Sequence, residues 1–154
     1  MQLSVIAIGR RMPDWVAAGW QTYQRRMPPH LPLSLTELHL PGRQVTVADE
    51  GQALLAKCPT GAHCVALDGR GQAWSTERLA QQLADWQLAA VPVCFLIGGA
   101  EGLDQSVLKA CAQHWSLGPA TYPHMLVRVL IAEQLYRAHT LLAGHPYHRG
   151  AGSA

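Results

Sequence analysis

Three stretches of the sequence gather the glycine, proline and polar groups that hold a ligand by backbone contacts. They are Leu67-Asp68-Gly69, Gly98-Gly99-Ala100-Glu101-Gly102 and Leu117-Gly118-Pro119-Ala120-Thr121-Tyr122-Pro123. A glycine pair at the end of a buried strand admits a ligand or another stretch of backbone, because no Cβ stands in the way. Whether Gly98 and Gly99 serve a ligand or the tight packing of their own loop stays open at this level. The phosphate-binding patterns are missing. Gly9-Arg10-Arg11-Met12-Pro13 does not supply GxGxxG after the first strand, and residues 95 to 103 contain no lysine for a P-loop. Glu101 would repel a phosphate. The loops suit a phosphate-free ligand with positive charge, of which S-adenosylmethionine, a sulfonium with an amino group and an adenine, is one.

A second concentration of polar groups lies at the C-terminal end, where His124, Arg128, Arg137, His139, His145, Tyr147, His148 and Arg149 are set against one acid, Glu133. It is the most basic part of the chain. His145 and His148 form HxxH without a third ligand or a nearby glutamate, so no metal site is expected. Glu133 and Arg137 stand four residues apart, the spacing of a surface helical ion pair, and Arg128 and Arg137 can both be read as decorating the solvent side of a helix.

Strands and helices must alternate to position these loops. Leu3 to Ile8 is β-rich and ends at Gly9; Asp14 can cap a helix whose apolar face is Trp15, Val16, Gly19, Trp20 and Tyr23. A second strand holds Leu33, Leu35 and Leu38, and a helix spans Ala48 to Lys57. Cys64 to Leu67 forms a strand ending at Asp68-Gly69, followed by a helix from Ser75 or Thr76 to about Leu88. Then come a strand from Val91 to Ile97, a helix from Asp104 to Ala112, a short strand from His114 to Leu117 and a long helix from Met125 to Leu142. This order predicts an α/β fold: a mostly parallel sheet flanked by helices, with ligands bound beyond the carboxyl ends of the strands.

The chain of 154 residues is 49% hydrophobic and 14% charged, which fits one domain with a single sizeable core. Residues 150 to 154, all small, are expected to be a flexible tail. The formal charge of +2 is too mild to announce a nucleic-acid protein, although ten of the twelve basic residues are arginines. Cys58, Cys64, Cys94 and Cys111 contain no CxxC pair and read as buried structural thiols. No leader sequence and no membrane span is apparent, so a soluble, cytoplasmic protein is expected. Trp15, Trp20, Trp86 and Trp115 read as core or dimer-interface residues; Trp74, in a polar loop, is the candidate for exposure near the site.

Several motifs agree in order and spacing with one family. Leu96-Ile97-Gly98-Gly99-Ala100-Glu101-Gly102-Leu103, Trp115-Ser116-Leu117, Pro123-His124-Met125-Leu126-Val127-Arg128-Val129-Leu130, Glu133-Gln134-Leu135-Tyr136-Arg137-Ala138 and His145-Pro146-Tyr147-His148-Arg149 resemble the RlmH family. Its members are SPOUT-class methyltransferases that methylate N3 of a pseudouridine in large-subunit (23S) ribosomal RNA.

The resemblance implies a C-terminal trefoil knot, a homodimer, S-adenosylmethionine as cofactor and the assembled ribosome as substrate. It assigns cofactor contacts to Leu67, to Gly98 and Gly99, and to Leu117, Gly118, Pro119, Ala120, Thr121 and Tyr122. For the methyl transfer itself His124 is the candidate general base, with ordering of the loop as the alternative. Arg137 is a candidate at the target base. Tyr147 can stack on an extruded base, and Arg149 can clamp phosphate or stabilise a deprotonated uracil. Two departures stand out. Pro41 to Glu50 carries only Arg43 where relatives have a longer lysine-rich stretch, which argues against an RNA contact there, and residues 150 to 154 run past the usual end.

Overall fold

The computed structural model describes residues 1–147. Strands β1 (Leu3–Ile8), β2 (Leu33–Leu38), β3 (His63–Ala73), β4 (Val93–Ile97) and β5 (Gln113–Ser116) alternate with helices α1 (Asp14–Arg26), α2 (Val47–Lys57), α3 (Thr76–Ala89), α4 (Gln105–Ala110) and α5 (His124–Ala143). Every strand pair is parallel, and the sheet order is β2-β1-β4-β3-β5. The expected α/β architecture is therefore what the chain adopts.

Both faces of the sheet are covered, and each strand divides its side chains between them. Along β4, Val93, Phe95 and Ile97 enter the core built with α1, α3 and α5, whereas Cys94 and Leu96 enter the one under α2 and α4. A strand buried on both faces reads as a continuous apolar run, and all five residues of β4 are buried. Local chemistry starts the helices. Ser75 Oγ accepts from the backbone N–H of Arg78 at the head of α3. Thr46 and Asp49 form a reciprocal capping box on α2, which holds the Asp49 carboxyl below its usual range.

The elements differ from expectation in three places. Asp14 is the first residue of α1 rather than its cap; the carbonyl of Pro13 accepts from Val16 and Ala17, and no side chain caps the turn. Trp15 is 62% exposed, because the buried stripe of α1 runs through Val16 and Trp20. Strand β3 does not stop at Leu67 but continues to Ala73. Its pairing with β5 slips there, so that Leu67 and Gln72 both face Trp115 and the residues between them bulge out.

Candidate functional site

Because β4, β3 and β5 are parallel neighbours, the loops after β4 and β5 and, in place of the loop expected at Leu67-Asp68-Gly69, the bulge within β3 come together at one edge of the sheet. Together they enclose a cavity of about 330 Å³ lined by Leu67, Asp68, Gly69, Gly98, Gly99, Leu117, Gly118, Ala120, Thr121 and Tyr122, with His124 and Val127 closing it from the first turn of α5. Of the nine cofactor contacts implied by the resemblance, only Pro119 is not in this lining. Sequence reasoning missed the floor, which Ile97 and Trp115 supply.

The β4–α4 loop is folded onto itself. The Gly102 N–H donates to the Gly99 carbonyl at 3.0 Å, and a Cβ on Gly98 would stand 2.4 Å from the Gly102 carbonyl oxygen. A Cβ on Gly99 would instead meet the Glu50 carboxylate at 3.3 Å and Ile8 at 3.4 Å. Close approach of backbone to backbone, not of ligand to backbone, thus requires Gly98. The next loop is pinned at its start, where Ser116 Oγ accepts from the Gly118 N–H at 3.1 Å.

The lining contains no lysine or arginine. Its one carboxylate, Asp68, is tied by the backbone N–H and guanidinium of Arg70 at 3.1 to 3.4 Å. A polyphosphate has no counter-charge here; a neutral or cationic ligand held by backbone amides and carbonyls does fit. Trp115, 1% exposed, adds an indole Nε1–H with no partner among the described residues. Trp74 is half-buried rather than exposed, stacked on Trp115 with centroids 5.3 Å apart and planes at 16°. Glu101 faces away from the cavity, lining a neighbouring depression with Glu50, whose carboxyl is pushed up by burial and by the Glu101 charge.

His124 is held at the cavity edge against Gly9: a Cβ there would lie 3.1 Å from its Nε2. Arg128, one turn further along α5, is fully buried and not solvent-facing as the sequence suggested. It donates to Glu37 Oε2 at 2.5 Å and to the carbonyls of Ile8 and Gly9 at 3.3 and 2.8 Å, so it ties α5 to the ends of β1 and β2. The signal was its position in the apolar run Met125-Leu126-Val127-Arg128-Val129-Leu130, where a solvated arginine has no polar neighbours.

The other candidates gather elsewhere. Arg137 pairs with Glu133 as the spacing predicted, and its guanidinium stacks over the Tyr147 ring, 4.9 Å from the centroid. Tyr147 packs edge-on against Tyr136, and its hydroxyl donates to Glu133 Oε1 at 3.2 Å. Burial raises the Tyr147 phenol well above its usual value. Thirteen residues of helix separate Arg137 from His124, roughly 20 Å at 1.5 Å per residue, so this cluster does not reach the cavity of its own chain. Arg149 and His148 lie outside the described residues. Cys94 and Cys111 are buried as expected, whereas Cys58 and Cys64 are half-buried; burial pushes the Cys64 and Cys111 thiols up to about 12, too high for a nucleophilic thiolate, while a hydrogen bond with Cys58 lowers Cys94.

The family model described as "Predicted SPOUT methyltransferase" matches residues 1–148. The ribosomal RNA large subunit methyltransferase H of Azotobacter vinelandii is 50% identical, covering 97% of this chain and 100% of the relative, and that of Hahella chejuensis is 45% identical over 97% and 99%. Among solved structures, a "probable methylase family protein" from Haemophilus influenzae superposes with a TM-score of 0.59 at 10% identity, covering 94% of this chain and 69% of that one. TrmJ from Z. mobilis gives a TM-score of 0.50 at 15% identity, over 89% and 70%. With a family model spanning nearly its whole length and a three-loop cavity at the carboxyl edge of a parallel sheet, the chain belongs to the SPOUT methyltransferases.

Proposed function

We propose that the protein methylates N3 of a pseudouridine in large-subunit (23S) ribosomal RNA, using S-adenosylmethionine and acting as a homodimer on the assembled ribosome in the cytoplasm. The observation that carries this reading is the cavity of three loops, free of cationic side chains, in a chain half identical to ribosomal RNA methyltransferases over their full length. When bound, S-adenosylmethionine supplies an electrophilic methyl group on a positively charged sulfur. Leu67, Gly98, Gly99 and the loop Leu117 to Tyr122, Pro119 included, would hold it by backbone groups and apolar contact. The trefoil knot belongs to the same reading.

The chain's own work at the target base is orientation and proton removal. His124, which lines the cavity, takes the N3 proton in this reading. Tyr147 and Arg149 bind the base and stabilise the charge that the ring carries once the proton has left. In one protomer the cavity sits at the N-terminal end of α5 and Tyr147 at its C-terminal end, so the tail serves the cavity of the partner chain. Each active site is then composite. No helix among the described residues is long and apolar enough to cross a membrane.

The test is a methyl-transfer assay on naked 23S RNA, isolated large subunits and whole ribosomes lacking the modification. Label at N3 of a pseudouridine, strongest with the assembled particle, is the expected result. Label in none of the three would refute the proposal.

A further inference from the structure

We infer that Glu133 is the positioning residue of the C-terminal tail, an inference that rests on the composite-site reading above. At first sight it is a helical surface acid paired with the arginine four residues on. The structure gives it a larger set of contacts. One carboxylate oxygen, Oε1, accepts from the Arg137 guanidinium, with Nε at 2.7 Å, and from the Tyr147 hydroxyl at 3.2 Å. The other, Oε2, accepts from Gln134 Nε2 at 2.8 Å, and the Gln134 side-chain oxygen Oε1 in turn accepts from Thr76 Oγ1 of α3 at 2.8 Å. Thus a single carboxylate joins α3, α5 and the tail.

Its surroundings make those bonds count. The side chains of Glu133 and Arg137 are each only 16% exposed, so water competes weakly for them. Tyr147 is closed in by the edge of the Tyr136 ring, by the Arg137 guanidinium over its face and by the Tyr23 hydroxyl 3.4 Å from its own. The chain reaches this clasp through Gly144, which ends α5 at φ +72°, and through His145, whose Nδ1 accepts from the Tyr147 N–H at 3.1 Å. Through the Tyr147 hydroxyl, Glu133 fixes where residues 144–147 lie against α5. No residue of this network lines the cavity of the same chain.

A tail-positioning role and a merely structural one separate in three measurements on the full chain: turnover on assembled ribosomes, affinity for S-adenosylhomocysteine, and hydrogen exchange at the amides of Gly144, His145 and Tyr147. Glu133→Ala should lower kcat by 10- to 100-fold, leave S-adenosylhomocysteine affinity within twofold and speed exchange in the tail. Glu133→Gln, which keeps an acceptor for Tyr147 and loses the charge facing Arg137, should recover part of kcat. An Ala variant with kcat within twofold of the parent, a loss of cofactor affinity that matches the loss of kcat, or unchanged tail exchange would each overturn the inference. If the parent chain binds S-adenosylhomocysteine but methylates no ribosomal RNA, the proposed function fails instead, and the exchange measurement still decides whether Glu133 holds the tail.

Discussion

Gly98 and Gly102 approach so closely across the β4–α4 loop that a Cβ on Gly98 would lie 2.4 Å from the Gly102 carbonyl oxygen, while the neighbouring Gly99 points its free position at the movable carboxylate of Glu50. The two glycines of the pair therefore do different things. Gly98→Ala must displace backbone, opening the loop that walls the cavity, and its cost resembles overpacking of a core at about 1–3 kcal/mol. Calorimetric titration with S-adenosylhomocysteine should show affinity lowered about tenfold or more for Gly98→Ala and changed only slightly for Gly99→Ala. Equal effects at both positions would refute the distinction.

Arg128 is a buried charge whose two terminal nitrogens donate to one carboxylate and two carbonyls while its Nε has no partner among the described residues, and removing it frees the β1–α1 turn from α5. Arg128→Ala should cost about 1–3 kcal/mol in urea unfolding, because the Ile8 and Gly9 carbonyls lose their donor while water reaches the partly exposed Glu37. A loss under 1 kcal/mol would show that water replaces the guanidinium without penalty.

His139 has its pKa lowered by burial and by the neighbouring His30 and His145. Because its folded value lies below the unfolded value of about 6.5, the unfolded chain takes up the proton first as the pH falls, and stability drops below that pH. Above it both states are neutral, and the residue contributes no pH dependence. Melting temperature should therefore fall between pH 7 and pH 5 more in the parent protein than in His139→Gln. Parallel curves would remove His139 as a source.

The proposed composite site requires a second copy of the chain. Light scattering at micromolar concentration should give about twice the 16.7 kDa chain mass, and a clean monomer would contradict the dimer.

The sequence made the parallel sheet legible because β4 is buried on both faces and so reads as an uninterrupted apolar run. It made the cavity legible because glycine, proline and polar residues mark the carboxyl ends of three neighbouring strands. The remainder depends on contacts between residues far apart in the chain. Arg128 reads as solvated until Ile8, Gly9 and Glu37, about 90 to 120 positions away, are seen to surround it. Trp15 follows the apolar spacing of α1, but the crossing of α1 with α5 places the buried stripe one position further round. The extension of β3 through Asp68 to Gln72 carries no alternation, because its pairing with β5 slips at the bulge. Glu133 has the spacing of an ordinary helical pair, and nothing local announces that Tyr147 returns to it.

The composite site is tested most directly by mixing two disabled chains. One is cut after Pro146 and keeps its cavity; the other carries Gly98→Val and keeps its tail. Each homodimer should be inactive on ribosomes lacking the methyl group. In a heterodimer isolated by two affinity tags, the sound cavity of the first chain meets the sound tail of the second, and methyl transfer to the pseudouridine should return. A verified heterodimer as inactive as its parents would show that cavity and tail do not act across the two chains.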